Sequence, residues 1–85
     1  MEIYVGNLSY RLDDMDLRKI FEEYGEVYSV KLISDKNTGR SKGFAFVEMG
    51  SDREGQMAIN ELNGKEIQGR PLKVNEAGGR DNNRD

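Results

Sequence analysis

Lys42-Gly43-Phe44-Ala45-Phe46-Val47-Glu48-Met49 is the stretch on which the reading of this 85-residue chain turns. Taken with the period of two that a strand imposes, it has two chemically different faces. Ala45, Val47 and Met49 point one way, small or apolar, as a core requires. Lys42, Phe44, Phe46 and Glu48 point the other way, with two rings between two charges. Phe is rarely spent on an otherwise polar face. Either another layer of protein covers the rings, or they await a ligand with flat faces.

Eighty-five residues hold one small domain with a single core. The chain has no cysteine, which excludes a disulfide framework, a thiolate nucleophile and a zinc–thiolate site. It has no histidine either, and so lacks the commonest general base and the commonest metal ligand. The first residues run straight into Ile3-Tyr4-Val5, with no basic leader and no span of membrane length. The expectation is a soluble, intracellular protein, cytoplasmic or, in a eukaryote, nuclear. Net charge is −3, but the distribution matters more than the sum. Asp13 to Glu26 carries six acids against Arg18 and Lys19; Lys31 to Lys42 carries four bases against Asp35. One part of the surface is acidic and another basic, which a solvated helix face alone would also produce.

Ile3-Tyr4-Val5 before Gly6-Asn7 reads as a short strand ending in a turn, with Tyr4 on its non-core face. Asn7-Leu8-Ser9 fits a glycosylation acceptor but, without a secretory signal, is read as a turn. Leu17, Ile20, Phe21 and Tyr24 form the apolar stripe of a helix. Asp13 is its expected N-cap, Asp16 the capping-box acid and Gly25 the C′ residue. The Asp13, Asp14, Asp16 cluster could mark a metal or acid–base site, but a cap in a favourable helix dipole accounts for it. Val27 to Ile33 is a second strand, with Val30 and Leu32 toward the core and Ser29, Lys31 and Ile33 on the open face. Asp35 to Ser41 is a polar hairpin loop, in which Arg40 is a candidate phosphate contact.

Ser51-Asp52-Arg53-Glu54 fits a capping box, and Gly55, Ala58, Ile59 and Leu62 give a second, thinner stripe. Asn63-Gly64 ends that helix, and Glu66 to Gly69 suggests a small ribbon. Arg70 to Asn75 is expected as the last strand, with Leu72 and Val74 inward, Lys73 and Asn75 outward, and Pro71 at an edge. Residues 1–77 would form the domain, and 78–85, polar and rich in Gly, Arg, Asn and Asp, a disordered tail.

The order strand, helix, strand, strand, helix, strand gives an α+β class: a βαββαβ sandwich with two helices on one face of a four-stranded antiparallel sheet. By analogy with the ferredoxin-like arrangement, the first and third strands are central. That places Tyr4 beside Phe44 and Phe46 on the bare face, with Lys31, Lys42 and Lys73 at the margins. Bases stack on such rings at roughly 1–3 kcal/mol each, and phosphates require nearby cations. A duplex hides its base faces, so the surface suits single strands.

The octapeptide resembles the ribonucleoprotein octamer of the RNA recognition motif, fitting seven of its eight places, and Ile3 to Leu8 resembles the companion hexamer. The likeness covers residues 2 to about 77 and is closest to small bacterial and glycine-rich, cold-inducible RNA-binding proteins. It implies that Tyr4 and Phe46 each stack on a base. Phe44 would pack on a sugar or span two nucleotides, Lys42 would meet a phosphate, and Asn75, Glu76 and Ala77 would meet bases. Met49 departs from the final aromatic of the octamer, on the core side. Glu2, Glu48 and Glu76 lie on or beside the RNA-facing side and repel phosphate, so affinity would be modest and sequence preference weak. The implied partner is single-stranded RNA, with single-stranded DNA also open, bound by a monomer without cofactor or metal. A protein-interaction module using the acidic first helix or the sheet is the alternative. An enzyme is disfavoured, because the chain has no His, no Cys and no glycine-rich phosphate loop.

Overall fold

Apolar residues at alternate positions of three strands are completely buried: Ile3 and Val5, then Ala45, Val47 and Met49, then Val74. These strands belong to a computed structural model that describes residues 1–77; the tail expected at 78–85 lies outside the described residues. The elements are β1 (Glu2–Gly6), α1 (Asp14–Glu22), β2 (Val27–Ser34), β3 (Ser41–Met49), α2 (Asp52–Leu62), β4 (Glu66–Ile67), β5 (Arg70–Pro71) and β6 (Lys73–Glu76). The main sheet has the order β2-β3-β1-β6, every neighbouring pair antiparallel, with β1 and β3 central as the ferredoxin-like arrangement requires.

Both helices cover the aliphatic face. Leu17 and Phe21 of α1 and Gly55, Ala58, Ile59 and Leu62 of α2 are buried against it, and Phe21 is the largest fully buried side chain. Among the described residues no polar or charged residue is buried, so the side chains of the core are apolar throughout. None of the described helices is long and apolar enough to cross a membrane.

The caps follow the sequence in part. Asp13 accepts from the Asp16 amide at 2.8 Å, and Asp16 accepts from the Asp13 amide at 3.1 Å, a complete capping box. That uses the acids structurally. At α2 only half of the box forms: Ser51 Oγ accepts from the Glu54 amide at 3.2 Å. The Glu54 side chain instead lies against Gly25, where a Cβ would collide with it. Gly25 is therefore not the C′ residue expected. Helix α1 closes at Glu23, Tyr24 N–H bonds Phe21 O at 3.0 Å, and Gly25 provides clearance between the two helices' ends.

Three further departures shape the sheet. Arg70-Pro71 does not open the last strand. It pairs with Glu66-Ile67 across Gln68 and Gly69, both at positive φ (51° and 83°), as a two-residue hairpin turn of the primed type demands. Strand β6 starts at Lys73, opposite Gly6. Along β2 the pairing jumps from Val27↔Met49 to Ser29↔Glu48, which leaves Tyr28 as an extra, bulged residue. This bulge lets Val27 be buried although Val30 and Leu32, at odd spacing from it, also pack on the core. On β3 the pairing runs from Leu32↔Ala45 to Ser34↔Ser41, so the extra residues there fall within Lys42 to Phe44.

Gly43 sits in that second irregularity at φ 87°, while its carbonyl accepts from Leu8 N at 2.9 Å. A Cβ on it would meet only Leu8 O, at 3.6 Å, so the requirement for glycine is torsional and not one of space. Gly43→Ala is expected to lower unfolding stability by about 1–2 kcal/mol, read as a lower denaturation midpoint at unchanged m-value. An unchanged midpoint would mean that the bulge relaxes to a torsion alanine accepts.

Candidate nucleic-acid interface

The β-ladder aligns the open face into rows. Lys31 lies opposite Phe46, Phe46 opposite Tyr4, and Tyr4 opposite Asn75, so one row crosses all four strands as cation, ring, ring and amide. Phe44 stands two residues along β3 from Phe46. The ring centroids of Tyr4, Phe44 and Phe46 are 5.9, 6.1 and 6.2 Å apart pairwise, with two of the three contacts edge-to-face. Edge contacts between rings are favourable in themselves and fix ring orientation without using both faces. All three rings are half-buried, supported from below and open from above.

Gly6 sits under this cluster. A Cβ there would lie 2.9 Å from Cε2 and Cζ of Tyr4, so the phenol end of Tyr4 occupies the space that a side chain at Gly6 would take. Gly6 is not among the site residues expected from the sequence, although its place two residues after Tyr4 on the same face is the signal for it. Lys73, exposed and paired with Gly6, stands beside the same ring. Asn7 was read only as a turn residue. At φ 58° its Oδ1 accepts from Arg70 Nη2 at 2.8 Å, and its Nδ2 donates to Pro71 O at 2.7 Å, which ties the end of β1 to the small ribbon.

The structure does not gather every candidate. Lys31, Lys73 and Asn75 are exposed on the ring face, and Ile33, half-buried and apart from the core packing, lies on that face next to Lys31. Lys42 is exposed at the Phe44 end of the sheet, beside the Gly43 bulge. Arg40 is elsewhere. It lines an open groove with Tyr10, Arg11 and Leu32, a residue turned toward the helices. Glu76 alternates with the exposed Asn75, shares the face of Val74 and pairs with core residue Ile3, so it too is off the ring face. Ala77 spends its amide on Glu2 O at 2.8 Å, which leaves no free N–H there for a base.

At the other end of the face Glu2 pairs with Glu48, and Glu48 with Ser29. Neither glutamate has an ion-pair partner among the described residues. The surface is therefore polar along the strands: acids at one end, rings in the middle, and Lys42 and Lys73 toward the other. No three Asp or Glu side chains among the described residues come together as a metal site.

Comparison with known proteins agrees with this geometry. The family model of the RNA recognition motif matches residues 3–73. A Nostoc RNA-binding protein, RbpD, is 54% identical over 84 residues, covering 99% of this chain and 89% of its own length. Among solved structures, RNA-binding protein PG1 superposes with a TM-score of 0.90 at 49% identity over 96% of this chain and 99% of its own. The RNA recognition motif domain of Rna15, solved with bound GU RNA, superposes with a TM-score of 0.82 at 30% identity over 89% of this chain and 81% of its own. The matched span holds the central strand pair, both helices and all three rings, and on that ground the chain belongs to the RNA recognition motif family.

Proposed function

We propose that this chain binds single-stranded RNA, stacking bases on Tyr4, Phe44 and Phe46 while Lys31, Lys42 and Lys73 hold phosphates. One observation carries the reading: three rings within 5.9–6.2 Å of one another stand on the face of the sheet that neither helix covers. A core has no need of them, because the aliphatic face is complete without them. Flat, apolar faces ringed by cations match unpaired bases on a phosphate backbone, and a duplex would keep its base faces stacked away from them. The RNA held by the Rna15 domain, a structural relative, supports the same occupant here.

The action is binding without chemistry. Stacking gives little sequence preference, and Glu2 and Glu48 at one end of the face oppose phosphate, so affinity is modest. Single-stranded DNA would use the same rings, and only contacts to the 2′-hydroxyl would separate the two. The working unit is one copy of the chain, which light scattering of the free protein and its RNA complex checks.

Two measurements test this. Phe46→Ala should weaken binding of a short mixed-sequence RNA by roughly 1–3 kcal/mol with an unchanged far-ultraviolet circular dichroism spectrum. A variant that unfolds would show the ring to be structural, and one that binds normally would remove the stacking role. With three cations near the rings, the logarithm of affinity should fall with the logarithm of salt at a slope of magnitude about 2, by the single-strand rule of roughly 0.7 per phosphate. A much steeper slope would show phosphate contacts beyond this face.

A further inference from the structure

Tyr28 is an aromatic residue on the sheet that the site does not use and the core does not need. It is 60% exposed, although its spacing from Val30 and Leu32 would turn it inward in a regular strand. The bulge reverses that. Tyr28 and Ser29 together oppose Glu48, so both stand on the face of Glu48, which is the face of the rings. Gly50 gives an independent indication of the ring's position. It follows buried Met49 at the end of β3, so its missing side chain would lie on the open face. A Cβ built there would come within 2.7 Å of Cζ and Oη of Tyr28. The Tyr28 ring therefore lies over Gly50 as the Tyr4 ring lies over Gly6. Twice on one sheet surface, the phenol end of a tyrosine fills the space beside a glycine.

We propose that Tyr28 is a further base-stacking subsite, one step beyond Phe46 toward the β2 edge, and that Glu48 beside it selects a base bearing an exocyclic amino group. This rests on the RNA-binding reading above. Phe46 and Glu48 are two residues apart on β3 and Tyr28 is on the next strand, which puts Tyr28 roughly 8 Å from Phe46 by ordinary strand spacings. The next nucleotide of an extended strand can cross that step. What can sit there is limited by charge. Glu48 faces Glu2 across the ladder and has no ion-pair partner among the described residues, so a phosphate is disfavoured. A carboxylate only accepts hydrogen bonds; adenine, cytosine and guanine offer amino donors, whereas uracil's N3–H lies between two carbonyl oxygens that a carboxylate repels. The subsite is thus a stacked base with its donor edge toward Glu48, which would disfavour uracil at that position.

The test is the affinity of wild type, Tyr28→Ala, Tyr28→Phe, Glu48→Gln and Phe46→Ala for a dinucleotide and for single-stranded RNA hexamers. Tyr28→Ala is expected to cost about 5- to 150-fold on hexamers, the stacking energy converted at a factor of ten per 1.4 kcal/mol, and much less on the dinucleotide. Tyr28→Phe should restore hexamer binding, since the face and not the hydroxyl stacks. Replacing cytosine by uracil along the hexamer should weaken the wild type at one position, and Glu48→Gln should narrow that difference whatever it does to overall affinity. If Phe46→Ala weakens binding while Tyr28→Ala leaves hexamers unchanged, the subsite is wrong and the three-ring platform stands. If Phe46→Ala also has no effect, the RNA-binding reading itself fails. Equal losses on both lengths with a lowered melting temperature would make Tyr28 a structural ring and overturn the proposal, and an unchanged cytosine-to-uracil ratio in Glu48→Gln would overturn the role of Glu48.

Discussion

The register of β1 against β3 is the constraint on which the rest depends. Tyr4 opposite Phe46 on one face is the same pairing that sets Ile3 opposite Val47 and Val5 opposite Ala45 on the other. A slip of one residue would turn the aliphatic side chains to solvent and the rings into the helices. Core and site are therefore not separate requirements on the sequence. Burial of the aliphatic set, which is complete, supplies most of the free energy that holds the half-buried aromatic set on the open face. The Leu8 N–H bond to Gly43 O fixes the same strand pair at the end where the ladder becomes irregular.

On that frame the charges are arranged by strand and not by helix. Lys31 on β2 and Lys73 on β6 stand at opposite margins of the ring row, where a single-stranded backbone crossing the sheet would pass. The glutamates face each other across β1 and β3 at one end, an arrangement that costs a few tenths of a kcal/mol to about 1 kcal/mol as like charges on a ladder. The acids of α1 need no such explanation, because Asp13 and Asp16 cap the helix and Arg18 approaches Glu22 at 3.6 Å.

Much of this was legible in the sequence, for a physical reason: period-two alternation and helical stripes record directly which side chains meet the core. The faces of Ala45, Val47 and Met49 and the ring positions followed from it; the Asp13 cap came from its residue type and spacing to Asp16, and the strand order from analogy with the ferredoxin-like arrangement. What was not legible are the places where the backbone departs from the period. Tyr28 is itself the extra residue of the bulge, and the sequence records it only as the odd spacing between Val27 and the core-facing Val30 and Leu32. Arg70-Pro71 has a strand's pattern, yet two left-handed residues before it fold it back on Glu66-Ile67 instead. Glu76 was grouped with Asn75 by proximity, although alternation by itself would have put it on the opposite face. Arg40 was judged by charge and loop position, and a loop does not carry the alternation that fixes direction.

The glycines separate two kinds of demand that a sequence writes with one letter. Gly43 and Gly69 are needed for torsion: each sits at positive φ, and the space around the missing Cβ is open or nearly so. Gly6 and Gly50 are needed for room, because in each the missing Cβ is the space a tyrosine ring occupies. Torsional glycines shape the chain, and their replacement strains the backbone wherever they occur. Space-giving glycines matter only because something must lie on them, so each one points to a side chain whose position is being held. On the core side of the sheet, tight packing would explain that. On the open face no core exists to be packed, so the room at Gly6 and Gly50 serves the placement of the Tyr4 and Tyr28 rings alone.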